Sequence, residues 1–182
     1  MRIFAFFSAF LMVILCSSVV HAETETNDLI AAITQLRWQE WRTPLSARPH
    51  FVFDIPQGWE SHSQPGSYWF TPGAMPGDVG CLVIAQGAAS IPQSEEEAVQ
   101  AAGKLVTDWQ EIARESLKLA GGQAASLIKG EGYFENGERA YIYILHTTLN
   151  GEHFTAIAGA QKRFFFPFEP ALRHILTSIR ME

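Results

Sequence analysis

The chain has 182 residues with 13 basic and 19 acidic side chains, a net charge of −6, and 47% of its residues are hydrophobic. That length and apolar share suit one domain with a sizeable core, whereas the acidic balance, with no run of basic residues, excludes nucleic-acid binding through phosphate contacts. Of the two cysteines, Cys16 and Cys81, the first lies in the leader described next, so the remainder cannot close an internal disulfide even in an oxidising compartment.

Residues 1–22, MRIFAFFSAFLMVILCSSVVHA, place Arg2 before an apolar run from Ile3 to Leu15 and end in small residues. This is the layout of a secretory signal peptide cut after Ala22. Leu15 before Cys16 disfavours lipidation, which wants a small residue there. An uncleaved anchor is the rival reading, because Ile3–Val20 spans 18 residues, near the minimum for crossing a bilayer. Cleavage leaves 160 of the 182 residues, with 12 basic against 19 acidic side chains, in the periplasm or secreted and with no membrane span.

After ETET, Asn27 or Asp28 can cap a helix that carries Leu29, Ile33, Leu36 and Trp41 near helical spacing, and Pro44 and Pro49 break the chain behind it. Residues 23–48 thus read as an N-terminal helix and tether, and residues 49–182 as the main domain. That domain opens with an alternating strand from His50 to Ile55, closed by Pro56 and Gly58. Strand-like runs at Ser67–Thr71 and Cys81–Gln86 flank the turn-rich PGAMPGDVG, and the three together predict an antiparallel meander. Ser94 and Glu97 then form a capping box, and Glu95–Glu97 suit the positive end of a helix. Ala98, Ala101, Ala102, Leu105, Trp109, Ile112 and Leu117 recur at near-helical spacing until Gly121-Gly122, so this stretch reads as one long amphipathic helix.

Two Asn-Gly pairs follow, Asn136-Gly137 and Asn150-Gly151, each the signature of a two-residue hairpin turn. Turns of that length set Tyr141 opposite Gly132 and Ala160, Tyr143 opposite Gly130 and Ala158, and Leu145 opposite Ile128 and Ala156. The resulting smooth face is expected to lie under the long helix, whose own small residues Ala98, Ala101 and Ala102 permit close approach. The other face carries Ile142, Ile144, Ile157, Lys129, Glu131, His146 and Gln161 and is expected to be partly buried. Phe168–Arg180, with Phe168, Leu172, Ile175, Leu176 and Ile179 at helical spacing, closes the domain as a second packed helix.

The element order, the early FVFDIPQGW, the late Asn-Gly meander and the terminal HILTSIR resemble the PsbP-like family over about Pro49 to Arg180. That family includes the extrinsic subunit of the photosystem II oxygen-evolving complex, a Ran-binding nuclear import factor and small exported bacterial proteins. The resemblance implies an α+β fold, an antiparallel sheet of about six strands sandwiched by helices, and binding or assembly work in place of catalysis. It carries over no catalytic or ligand residue, and the helix expected at Asp28–Trp41 lies outside the family's common core.

Few residues look like chemistry. His146 and His153 flank the second hairpin as diagonal neighbours with alpha carbons roughly 7–8 Å apart, yet zinc wants three or four protein ligands and the same-face neighbours are threonines and Leu127. Cys81 opens an apolar strand and reads as a small hydrophobe, since thiol activation needs a cationic neighbour. No Gly-x-Ser-x-Gly elbow is present, and Glu131 with Glu135 reads as a solvated stripe. RFFFPFEP, Arg163–Pro170, reads as a strand end and helix staple. The expected contact surface is the aromatic and Met-containing GSYWFTPGAMPGD, with Tyr68, Trp69, Phe70 and Met75 meeting a protein partner in the envelope. The sequence therefore points to an exported binding or assembly protein without a catalytic residue, cofactor or metal. The alternatives are a small periplasmic hydrolase or thiol enzyme using Cys81, and a metal-binding protein using His146 and His153.

Overall fold

A computed structural model describes residues 36–43, 50–64, 67–72, 79–84, 92–149 and 151–181. The elements in chain order are β1 (Trp38–Arg42), β2 (Phe51–Pro56), β3 (Trp59–Gln64), β4 (Ser67–Pro72), β5 (Val79–Ile84), α1 (Glu95–Ala102), β6 (Thr107–Lys118), β7 (Ala124–Tyr133), β8 (Arg139–Leu149), β9 (Glu152–Gln161), α2 (Lys162–Thr177) and β10 (Arg180–Met181). Seven strands form one antiparallel sheet in the order β3-β4-β5-β9-β8-β7-β6, and a smaller antiparallel sheet runs β1-β2-β10. The architecture is α+β, with helices on the two faces of the large sheet, as expected; the sheet expected to have about six strands has seven among the described residues, and the three-stranded sheet is additional.

The two Asn-Gly corners behave differently, and the difference decides which side chains share a face. Across the second, Tyr143 pairs with Ala158 and Thr148 with His153, the register of a two-residue turn. Across the first, Tyr143 pairs with Lys129 and Tyr141 with Glu131, one residue away from the expected Gly130 and Gly132. Here Phe134 and Glu138 close a three-residue loop, with the Phe134 N–H donating to the Glu138 carbonyl at 2.9 Å. Asn136 Oδ1 accepts from the Glu138 N–H at 3.0 Å, and Gly137 sits at φ 79°. This is the turn-plus-bulge alternative to the two-residue corner, and it needs the left-handed residue that glycine supplies. A slip of one residue exchanges the faces of a strand: Lys129 and Glu131 join the tyrosines, while Gly130, Gly132 and Ile128 turn to the opposite side.

The face of Tyr141, Tyr143, Leu145, Ala156, Ala158 and Ala160 is covered by α2, through Phe165, Phe168, Leu172, Ile175 and Leu176. This corrects the expectation that the earlier helix lies there. Helix α2 also begins earlier than expected, so RFFFPFEP is helical and not a strand end, with Pro167 and Pro170 inside the helix. Each interior proline costs about 3 kcal/mol, whereas each of the five large apolar side chains gains about 1.5–3 kcal/mol on full burial. Burial prevails.

Helix α1 is short. Ser94 Oγ accepts from the Glu97 N–H at 3.2 Å, the first half of the expected capping box, and the Glu97 carboxylate accepts from the Gln93 N–H at 2.8 Å, one residue before the N-cap. Gly103 ends the helix, and Leu105 and Val106 drop with Ala98 and Ala102 onto Ile128, Ile142, Ile144 and Ile157. The expected continuation to Leu117 is instead β6, a largely exposed edge strand. Its helix-favouring Ala, Arg, Glu, Leu and Lys are overruled by the backbone ladder that β7 offers. Two register irregularities, between Thr107 and Gln110 and between Glu111 and Ala113, interrupt that ladder, and Asp108 takes φ 53°.

The linker from α1 to β6 crosses β7 at Gly132, where an added Cβ would stand 2.6 Å from the Thr107 carbonyl oxygen and 2.6 Å from Val106 Cγ2. Backbone cannot yield as a side chain does. Gly132→Ala is expected to lower unfolding free energy by about 1–3 kcal/mol, read as a reduced urea midpoint at unchanged slope.

The segment 36–43 corrects a further expectation. Trp38–Arg42 is a strand paired antiparallel to β2, with Trp41 opposite Phe53; Leu36 and Arg37 before it are not helical, and residues 28–35 of the expected Asp28–Trp41 helix fall outside the described residues. Trp41, Phe51, Phe53, Tyr68, Phe70 and Phe154 then form one aromatic cluster joining the small sheet to the large one. Strand β2 is thus not part of the meander with β4 and β5; its place is taken by β3, whose polar SHSQ gives no apolar alternation to read. At the other end of β2, Asp54 meets His174 at 3.3 Å and Arg180 at 3.4 Å, and the Ser178 hydroxyl accepts from the Asp54 N–H at 2.9 Å. These contacts tie α2 and β10 to β2.

Candidate functional site

Alternation along β4 sorts the expected partner-contacting residues. Tyr68 and Phe70 point into the aromatic cluster and are buried, so neither is available to a partner. This corrects their placement on a recognition surface. Trp69 turns to the other face, half-buried, with its ring 5.5 Å from that of His62 and 22° from parallel. Across β3, His62 lies opposite Trp69 in register, and its Nε2 stands 3.8 Å from the Glu60 carboxylate. Met75 lies outside the described residues. Cys81 pairs through its backbone with Phe70 and Ala158, and its thiol lies outside the described side chains.

The two hairpin histidines do come together. His146 and His153 stack with ring centroids 5.5 Å apart and planes 17° from parallel. His146 is buried at 8% exposure, and its Nδ1 is hydrogen-bonded to Thr155 Oγ1 at 3.0 Å. His153 Nδ1 is buried without a hydrogen-bond partner. Imidazole offers its lone pair in the ring plane, so rings stacked this way do not converge on one ion. Among the described residues no three His, Cys, Asp or Glu side chains are grouped to hold a metal.

The acidic start of α1 lies near His146. Ser126, opposite His146 across β7 and β8, donates its hydroxyl to Glu95 Oε1 at 2.5 Å, and Arg114 binds Glu95 Oε2 at 2.6 Å. Because Ser126 gives its proton to Glu95 and His146 is engaged with Thr155, the hydroxyl and imidazole are not arranged as nucleophile and base. Burial lowers the His146 pKa from its ordinary value, and the His153 charge pushes in the same direction, against the attraction of Glu95, Glu96 and Glu97.

A second polar cluster arises from the shifted register and was not visible in the sequence. Lys129, brought to the tyrosine face, donates to Glu169 Oε1 at 2.7 Å, and the Tyr143 hydroxyl donates to the same oxygen at 2.5 Å. Lys129 Nζ also lies 4.9 Å from the centre of the Phe165 ring and 5.6 Å from that of Tyr143, a desolvated cation–π setting. Burial, followed by the Glu169 bond and charge, pushes the Tyr143 pKa up to about 12. Burial alone would raise the Glu169 carboxyl, but the Lys129 and Tyr143 hydrogen bonds outweigh it and hold the pKa below the usual value. Glu131 is paired with Arg139, and Glu135 sits in the turn, so the two do not act as a carboxylate pair. Among the described residues no helix is long and apolar enough to cross a membrane.

No family profile matches the chain, and no curated protein matches its sequence. Solved structures do. The PsbP of the cyanobacterium Synechocystis sp. PCC 6803, CyanoP, superposes with a TM-score of 0.53 at 13% identity, over 80% of this chain and 92% of that one. LpqN of Mycobacterium tuberculosis, described as involved in cell envelope biogenesis, gives 0.48 at 17% identity, over 82% and 94%. The strand order, the two helices on opposite faces and the CyanoP superposition together show that this chain has the PsbP-like fold.

Proposed function

We propose that this protein is an exported, non-catalytic binding or assembly factor of the bacterial envelope that holds a protein partner on the outer face of β3 and β4. The leader at residues 1–22 supports export. The observation that carries the binding reading is the division of the β4 aromatics: Tyr68 and Phe70 are spent on the core, while Trp69 belongs to neither core cluster and stacks on the exposed His62. Rigid aromatic groups with a polar tip are the residues that most often anchor protein interfaces. The titratable groups of the tyrosine-face cluster are turned toward one another: Glu169 takes both Lys129 and Tyr143, and Arg173 takes Glu115.

The test is affinity capture from envelope extract with the domain lacking residues 1–22 as bait. Trp69→Ala is expected to lose the captured partner at least several-fold while the thermal unfolding curve stays within about 0.5 kcal/mol of wild type, as befits a surface change. Tyr68→Ala is no substitute for it, because it opens the core and lowers stability by about 3 kcal/mol or more. Undiminished capture by Trp69→Ala and by His62→Ala would remove this face as the binding surface. Mass spectrometry of the protein from a periplasmic fraction checks export through the new N-terminus at Glu23.

A further inference from the structure

We propose that the His146–His153 stack is a proton-operated latch: with both rings neutral it seats α1 on the sheet, and acidification releases α1 and uncovers the isoleucine face beneath. The latch is independent of the Trp69 surface, which lies on β3 and β4.

The geometry explains why a proton is the ligand to which this pair responds. The neutral rings form a flat, nearly apolar layer between β8 and β9. A proton on His146 places a cation 5.5 Å from the centre of the His153 ring, and that neighbour adds to burial in opposing the charge on His146. The packed arrangement also gives a new charge little to bind. His153 Nδ1 is buried with no acceptor, and His146 Nδ1 already has Thr155 Oγ1 as its partner.

Charged and titratable groups face the pair from every element packed on it. On α1 these are Glu95, Glu96 and Glu97, whose attraction favours the protonated ring. Glu95 is already shared between Ser126 of β7 and Arg114 of β6, and Arg114 also holds Glu111. The cation beside Glu95 thus offsets part of the acidic field. Burial of His146 is the largest influence and opposes charging. A buried group that resists charging favours, once acid supplies the proton, whichever state exposes it to water. The piece with the fewest ties is α1, eight residues held by Ala98 and Ala102 on the isoleucines and by Glu95 on Ser126 and Arg114, while β8 and β9 are held by their ladder. The face it would uncover carries Ile128, Ile142, Ile144 and Ile157.

The sign follows from linkage. The folded-state pKa of His146 lies below its unfolded value, so the unfolded or α1-released state binds more protons, and stability is lost as pH falls through the unfolded value near 6.5 toward the folded one. Amide hydrogen exchange of residues 98–105 is measured at about pH 7.5 and about pH 5.5, which bracket the ordinary histidine range and lie above the ordinary carboxylate range. After correction for intrinsic rate, wild type is expected to exchange several-fold faster at the lower pH, and His146→Gln, which keeps a polar group for Thr155, is expected to show no such rise. An equal acid response in His146→Gln, or none in wild type, overturns the proposal. Should His146→Gln fail to fold, proton NMR titration of the wild-type imidazoles decides: His146 charging in step with loss of α1 protection supports the latch, and charging without that loss refutes it.

Discussion

Phe51→Ala is expected to destabilise the protein by about 3–5 kcal/mol, a fall in melting temperature of roughly 10 °C for a domain of this size. Phe51 is fully buried, with its ring 5.2 Å from Phe154, 5.8 Å from Phe53 and 6.2 Å from Tyr68. Its backbone is engaged as well, its N–H donating to Thr43 Oγ1 at 3.1 Å. The ring therefore sits where the small sheet, β4 and β9 meet, and truncation leaves a cavity between layers held apart by several other rigid rings. Such a site cannot collapse easily, which puts the cost toward the upper end of the range. Guanidinium unfolding followed by tryptophan fluorescence, with Trp41 in the same cluster as reporter, measures it; a loss under about 1 kcal/mol would mean the two sheets are not joined there.

The second large effect is expected at Glu169. Glu169→Ala leaves the Lys129 ammonium, 20% exposed, beneath α2 without its carboxylate, and leaves the Tyr143 hydroxyl without its acceptor. Losing a charged partner from a half-buried network costs on the order of 2–3 kcal/mol. Replacing both ends with apolar groups, Lys129→Met with Glu169→Leu, is expected to recover much of that loss, because no unpaired charge remains. The same group shapes the acid limb of stability. Its folded pKa is depressed, so its contribution is complete above the ordinary value of 4.5 and disappears as pH falls through the folded one. Glu169→Gln should therefore unfold with a shallower pH dependence below about pH 4.5 than wild type, and equal slopes would remove Glu169 from the set of groups that drive acid unfolding.

What the sequence disclosed depended on how local the determining interaction is. The N-cap at Ser94 and the register on either side of Asn150-Gly151 are settled within a few residues, and both agree with the expectation. The corner at Asn136-Gly137 uses the same dipeptide but admits a three-residue loop, and the choice exchanged the faces of β7. From that single slip followed the hidden cluster of Lys129, Tyr143 and Glu169. Strand β6 was read as helix because an exposed edge strand need not show apolar alternation; its structure comes from β7, which a short window cannot see. The same holds for Trp38–Arg42, whose aromatic spacing fits a helix until β2 is laid beside it. Of the β4 aromatics, the composition was legible and the alternation decided which ring is free: Trp69 faces out because Tyr68 and Phe70 face in. The meeting of His146 with His153 was legible from register alone, but the burial of His146 on the face that α1 covers was not, since helical periodicity does not say which face of a sheet a helix takes.

The irregularities of β6 bear on how copies of this protein coexist at high concentration. A straight twelve-residue border with its amides and carbonyls free would template another chain, strand upon strand, toward fibrils. The kinks beside Asp108 and Glu111, with the charges of Glu111, Arg114 and Glu115 along the border, spoil that template, so the bends that weaken the ladder locally also protect solubility.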